Sequence, residues 1–256
     1  MDCGGRHYNR AEMLTAVIAD IHGNLQALQA VLSALDKLNV RQILCAGDIV
    51  GYGGNPAECI DLIRQRNIPC CCGNHDSYVA DESLMPKEKV RPEAQEVILW
   101  TRKQLSQEQL SWLGELPLTL QAPQFMVTHA SCQPYPKWVY VTSRSAAALH
   151  LLFQSRQLCF NGHCHIPIIA THVPKKQLTL EYLDDRILPK EGNVMVGVGA
   201  VGQPRDEDNR ACTVLFNTNT RKVTLLRIKY DIAAAQQAIV DKKLPVFLAD
   251  RLLKGI

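Results

Sequence analysis

Apolar runs of strand length alternate with helical repeats through the first third of the chain. Residues 14–19 are apolar apart from Thr15, and Leu25, Leu28, Val31, Leu32, Leu35 and Leu38 then recur at the spacing of one helix face before a second apolar run at 43–46. The pattern predicts a βαβ unit. Pro56 suits the first turn of a second helix over 56–65, and residues 68–72 read as a third strand. Right-handed crossovers would set these strands parallel, with the polar turns that follow them on one edge of a sheet. Residues 77–116 are mostly helical in pattern and read as a cap or flank. Strands resume at 125–128, a helix follows over 144–156, and another strand at 158–160. From residue 168 onward, strand-like runs at 168–173, 178–183, 194–198, 213–216 and 223–228 have short connections that favour antiparallel hairpins. A helical region over 232–253, broken near Pro245, closes the chain. The expected fold class is α/β, a mixed-sheet α/β sandwich with helices flanking two β-sheets.

Composition changes this picture little. With 256 residues, 46% hydrophobic and 21% charged, the chain has the material for one large domain, expected over 13–256. The polar residues 1–12 contain no apolar core of a signal peptide and read as a disordered extension. A formal charge of +3 with scattered Lys and Arg gives no strong nucleic-acid signal, and no run has the length of a membrane span. Six of the ten cysteines (Cys45, Cys70, Cys71, Cys72, Cys159 and Cys212) fall inside apolar strand-like runs without a CxxC pair, which fits free thiols and a cytoplasmic protein.

Candidate chemistry concentrates where the apolar runs end. Asp20 and His22 follow the first, Asp48 the second, Asn74, His75 and Asp76 the third, His129 the fourth, and His163 and His165 the fifth. In extended segments, the one-residue spacing of Asp20 with His22 and of His163 with His165 would put each pair on one side. Taken singly, Asp48 reads equally as a turn residue, Asn74 as an Asx-turn residue and Asp76 as a helix cap. Their recurrence after consecutive strands gathers oxygen and imidazole donors on one rim, a set suited to metal ions.

The ordered set Asp20-x-His22, Gly47-Asp48, Gly73-Asn74-His75-Asp76, His129 and Gly162-His163-x-His165 resembles the calcineurin-like metallophosphoesterases. The segment Gly199 to Arg205 resembles the bacterial phosphodiesterase-like branch. The resemblance implies a binuclear centre, with one metal held by Asp20, His22 and His165, the other by Asn74, His129 and His163, and Asp48 bridging. Two cations about 3.5 to 4 Å apart need a shared anion and can activate a bridging water for direct attack on phosphorus. His75 would assist the leaving oxygen as general acid or hydrogen-bond donor, with Asp76 orienting it. The donor set, lacking thiolate, points to manganese ahead of iron, nickel, cobalt, magnesium or zinc. The implied partner is a phosphate-ester substrate, a small molecule or nucleotide, with diesters ahead of monoesters. The oligomeric state is not legible.

Two departures qualify the resemblance. The phosphoprotein phosphatases and symmetrical dinucleoside-tetraphosphate hydrolases of the family carry an Asp-Arg where this chain has Asp48-Ile49, which counts against assigning either activity by name, although another arginine could enter the site from elsewhere in the fold. Arg205 is one candidate for substrate binding, although an arginine paired with Asp206 or Asp208 is the plainer expectation. The alternatives are a non-catalytic metal-binding scaffold on the same fold, over which the presence of His75 favours catalysis, and a phosphoprotein or dinucleoside polyphosphate hydrolase. His7, His150 and His172 match no ligand position.

Overall fold

A computed structural model describes residues 14–86, 88, 90–133 and 138–256. The extension expected at 1–12, with His7, lies outside the described residues. The elements in chain order are β1 (Leu14–Ile18), α1 (Leu25–Lys37), β2 (Gln42–Cys45), α2 (Pro56–Gln65), α3 (Asn74–Ala80), α4 (Pro92–Gln104), α5 (Gln107–Gly114), β3 (Thr119–Gln121), β4 (Met126–Thr128), α6 (Arg144–Phe153), β5 (Leu158–Asn161), β6 (Pro167–His172), β7 (Thr179–Tyr182), β8 (Arg186–Ile187), β9 (Asn193–Val198), β10 (Ala211–Asn217), β11 (Lys222–Ile228), α7 (Ile232–Asp241) and α8 (Val246–Lys254). They build two mixed sheets with strand orders β2-β1-β10-β11-β8 and β3-β4-β5-β9-β6-β7.

The alternation of side chains along the strands sets the layers. On β1, Val17 with Ala19 beyond its end joins Val127, Phe160, Val196 and Phe216 in the apolar layer between the sheets. Ala16 and Ile18 face the other way, onto Leu28, Val31, Leu35 and Ile60 of α1 and α2. Likewise Val194, Val196 and Val198 of β9 point inward, whereas Met195 packs outward against Ala147 and Leu151 of α6. The helices therefore cover the outer faces of both sheets, the arrangement a chain with two-sided apolar strands must adopt. The amphipathic stripe of α1 buries Ala27, Leu28, Val31, Leu32 and Leu35, and its first turn is capped by the Asn24 side chain accepting from the Ala27 amide at 3.1 Å.

Two expectations need correction. The third strand does not form a ladder: residues 68–72 meet β2 through one parallel bridge, Cys45 with Cys70. Pro69 has no amide hydrogen to give, and the Cys72 amide bonds instead to the Pro117 carbonyl at 2.8 Å. The later strands form the expected antiparallel hairpins only in part. β6 with β7 and β10 with β11 are antiparallel neighbours, but β9 inserts between β5 and β6, parallel to β5, and β8 joins the opposite sheet beside β11. β9 is buried along nearly its whole length, which a central position between two partners satisfies and an edge would not. Among the described residues, no helix is long and apolar enough to cross a membrane.

Candidate metal centre and its pocket

The loops after β1, β2, β4 and β5 meet on one rim where the two sheets converge. The first two stay registered past their strands: the Asp20 amide donates to Gly47 O at 3.0 Å and the His22 amide to Asp48 O at 2.9 Å. In the second sheet the Gly162 amide donates to His129 O at 3.0 Å. The sheets are tied across the rim by the His163 amide, which donates to the Asp20 carboxylate at 2.9 Å. The donors do not sit on extended backbone as the spacing suggested. Asp20, His22, Asp48, His163 and His165 all have positive φ, from 49° to 68°, so each pair turns its side chains inward through left-handed backbone. Strain of this kind persists only where surrounding contacts over-determine it. Gly73 shows how tight the rim is: a Cβ there would come within 2.1 Å of Asp48 Oδ1.

Seven donors expected from the sequence are brought together in two overlapping groups. Asp20 Oδ1 lies 3.3 Å from His165 Nε2, and His165 Nε2 lies 3.0 Å from His22 Nε2. On the other side, His129 Nε2 lies 3.1 Å from both Asn74 Oδ1 and His163 Nδ1. Asp48 Oδ2 sits between the groups, 3.6 Å from His22 Nε2 and 3.3 Å from His129 Nε2.

Each of the four imidazoles has its other nitrogen on a backbone carbonyl. His22 Nδ1 faces Val50 O at 3.2 Å, His129 Nδ1 Ala46 O at 2.8 Å, His163 Nε2 Trp138 O at 3.2 Å, and His165 Nδ1 Gln203 O at 2.6 Å. A carbonyl only accepts, so these nitrogens carry the protons, and in the neutral rings the converging nitrogens are bare lone pairs. Lone pairs 3.0 Å apart in a buried site repel unless a cation stands among them. The residues present therefore fit divalent metal, with carbonyls fixing the tautomer of each ligand from behind.

Electrostatics agree. Burial holds His22 and His163 well below the usual imidazole range and also lowers His165. Burial opposes charge on His129 too, but the Asp48 carboxylate overrides it and lifts that ring to about 10. Asp48 in turn is held well below the carboxylate range, because the charges of His129 and His75 outweigh its burial. Without metal, one proton on His129 relieves the crowding, and a cation would compete with that proton.

His75 joins the cluster at its mouth. Its ring lies 4.9 Å from that of His22 and 4.5 Å from Tyr52, its amide donates to Asp48 Oδ1 at 2.8 Å, and its buried Nδ1 has no hydrogen-bond partner. Burial draws its pKa down to about 4. Asp76 does not face this ring, contrary to the expectation that it orients His75. Its carboxylate accepts from the amides of Asp48 at 2.8 Å, Ile49 at 2.9 Å, Val50 at 3.3 Å and Gly73 at 3.0 Å. Asp76 thus caps α3 and clamps the loop that carries Asp48. Burial and the neighbouring Asp48 charge push this carboxyl up to about 7, against the pull of the Gly73 and Val50 amides.

Arg205 is also not the surface ion pair expected. Asp206 pairs with Arg227, and Asp208 with Arg210 at 2.5 Å. Arg205 turns toward the rim, held by Gln203 Oε1 at 2.8 Å, with its guanidinium 5.9 Å from the centre of the Tyr52 ring. It lines a cavity of about 820 Å³ together with Asn74, His75, Tyr52, Tyr140, Arg91, Glu93 and Arg251. Burial and the Arg205 charge lower Arg251 to about 10. Tyr140 stacks on His163 at 3.9 Å. Sequence reasoning missed Tyr52, Arg91, Tyr140 and Arg251, none of which directly ends an apolar run. Cys164, between the two rim histidines, packs away from them and accepts from the Val141 amide at 3.3 Å.

The profile of the calcineurin-like phosphoesterase superfamily domain matches residues 13–221. The chain belongs to that superfamily. A metallophosphoesterase from Sphaerobacter thermophilus superposes with a TM-score of 0.81 at 35% identity, over 96% of this chain and all of that one. An uncharacterized protein of Methanocaldococcus jannaschii is 36% identical over 94% of this chain and 98% of its own length. The symmetrical bis(5'-nucleosyl)-tetraphosphatase of Vibrio vulnificus is 29% identical over 60% of this chain, which spans 59% of that enzyme. Calcineurin-like phosphoesterases are hydrolases, and this chain carries candidate metal-binding groups at the rim.

Proposed function

We propose that this chain is a binuclear metal-dependent phosphoesterase in which Asp20, His22 and His165 hold one divalent ion, Asn74, His129 and His163 the other, and Asp48 both. The observation that carries this reading is the set of four buried imidazoles whose anchored tautomers aim bare nitrogens at one another and at Asp48. Two divalent ions, manganese ahead of iron, nickel, cobalt, magnesium or zinc, would supply charge stabilisation at phosphorus and an activated water as nucleophile. His75, neutral at pH 7, lies where it can donate a hydrogen bond to the leaving oxygen, so the donor role is favoured over that of a cationic acid. Asp76 acts as a positioning residue through the Asp48 loop.

The substrate is a phosphate ester with further anionic charge. Among the described residues, Arg91, Arg205 and Arg251 beside His75 give the pocket three guanidinium groups against one carboxylate, Glu93, so phosphates beyond the scissile one find partners there. These arginines take the place of the one absent after Asp48. Dinucleoside polyphosphates are the favoured class, in keeping with the tetraphosphatase relatives. Hydrolysis of bis-p-nitrophenyl phosphate beside p-nitrophenyl phosphate, by chelated protein restored with manganese, tests the reading. Manganese-dependent release of nitrophenol supports it, and the ratio of rates separates diester from monoester preference. If neither ester nor a dinucleoside tetraphosphate is hydrolysed, the scaffold alternative replaces it.

A further inference from the structure

Away from the rim, a second group of reactive side chains lies together. Cys132, on the loop three residues beyond His129, places Sγ 3.9 Å from Sγ of Cys159 and 3.7 Å from Nε2 of His150. His150 is fully buried on α6 and Cys159 fully buried on β5, whereas Cys132 is partly exposed. The three donor atoms have the closeness of a metal site. The tautomer points elsewhere. The Cys132 amide donates to His150 Nδ1 at 3.2 Å, so that nitrogen holds the lone pair and Nε2 carries the proton, directed at the Cys132 sulfur. A nitrogen carrying a proton toward sulfur stabilises a thiolate and does not ligate a cation.

The two sulfurs are unequal. The hydrogen bond from the Cys159 thiol, opposed by burial and reinforced by His150, draws the Cys132 thiol down to about 5. Cys159 is pushed well above the thiol range, chiefly by burial. An accessible thiolate beside a protonated, fixed thiol is the arrangement of an attacking and a resolving cysteine. Closing the pair needs the sulfurs to approach from 3.9 Å to about 2.05 Å. Cys132 lies in a loop and can supply that movement, while Cys159 is held in the ladder opposite Met126.

We propose that Cys132 and Cys159 form a peroxide-reactive dithiol site that closes to a disulfide. The Cys132 thiolate attacks one oxygen of a hydroperoxide; an S–O bond forms, the O–O bond breaks, and the departing oxygen takes up a proton. Cys159 sulfur then attacks the sulfenic sulfur; the S–S bond forms, the S–O bond breaks, and the hydroxide leaves as water with the Cys159 proton. Two thiols are oxidised by two electrons and one peroxide is reduced. The site is independent of the phosphoesterase reading, since no rim donor takes part.

The test treats the reduced full-length protein with one equivalent of hydrogen peroxide, alkylates the remaining thiols with iodoacetamide, and maps the peptides by mass spectrometry. A peptide linked through Cys132 and Cys159 is expected before any other cysteine is oxidised. In Cys159→Ser the same treatment should leave a Cys132 sulfenic acid that dimedone captures. Without peroxide, alkylation of Cys132 should stay nearly flat from pH 6 to 8, where an ordinary thiol gains roughly tenfold per unit. Recovery of both cysteines fully alkylated after peroxide, or a bridge from Cys132 to a different cysteine, overturns the proposal. So does a bound zinc ion, released on chelation, that protects both thiols beforehand.

Discussion

The rim and the mouth of the pocket are held in opposite ways. At the rim, the four histidines are fully or almost fully buried, each ring is pinned by a backbone carbonyl, and the backbone beneath Asp20, His22, Asp48, His163 and His165 is left-handed. At the mouth, the Arg205 guanidinium is held by other side chains, Gln203 with Tyr52 and Tyr140, and Arg251 and Arg91 arrive from α8 and from the residue preceding α4. A rim fixed from behind suits ligands that must not relax, and a mouth built from long side chains suits a substrate whose charged groups vary. Damage at the rim should therefore abolish chemistry, and damage at the mouth should change which substrate is preferred.

The largest expected effect is that of Asp48→Asn. Removing the carboxylate that stands between the two donor groups should lower bound metal below two ions per chain and turnover by on the order of 10³-fold, read by elemental analysis and steady-state rates. His75→Ala should cost roughly 10²-fold to 10³-fold in kcat with metal content unchanged, which separates leaving-group assistance from ligation. Turnover that survives this change sinks the role given to His75.

Asp76→Asn sharpens the comparison through stability. The amide replaces one acceptor oxygen with a donor facing backbone amides, so unfolding in denaturant should become easier by about 2 to 3 kcal/mol. A change confined to kcat would point back to an interaction with His75. At the mouth, Arg251→Gln and Arg205→Gln should each raise KM for a dinucleoside tetraphosphate by about tenfold while leaving bis-p-nitrophenyl phosphate nearly unaffected, the worth of one charge-assisted contact. Equal effects on both substrates would remove the distinction between mouth and rim.

Metal affinity should also depend on pH in one direction. Asp48 raises His129 to about 10 in the metal-free site, so below that pH a cation must displace a proton. Affinity should rise by about tenfold per pH unit between 6 and 9, with protons released on binding, as calorimetry in buffers of different ionisation enthalpy would show.

The same contrast explains what could be read before the structure. Each rim donor directly ends or follows an apolar run, and parallel connection brings such ends together, so Asp20, His22, Asp48, His129, His163 and His165 were legible as one group. Their left-handed backbone was not, because nothing in Asp20-Ile21-His22 distinguishes a turn from continued strand. Asp76 shows the limit for a single acid: next to His75 in sequence, it turns the other way because α3 begins at Asn74 and its unpaired amides need an acceptor. Arg251 lies in a helix whose spacing signals only which face is buried. The placement of β9 between β5 and β6 depends on pairing across long sequence separations, to which local periodicity is blind.

The most direct measurement is a titration of metal-stripped protein with manganese at pH 8, following bound metal and diester hydrolysis together. Two ions per chain, with turnover appearing as the second is taken up and absent in Asp48→Asn, are expected. Full turnover in stripped protein, or saturation at two tight ions in Asp48→Asn, would contradict the shared role of Asp48 at the rim.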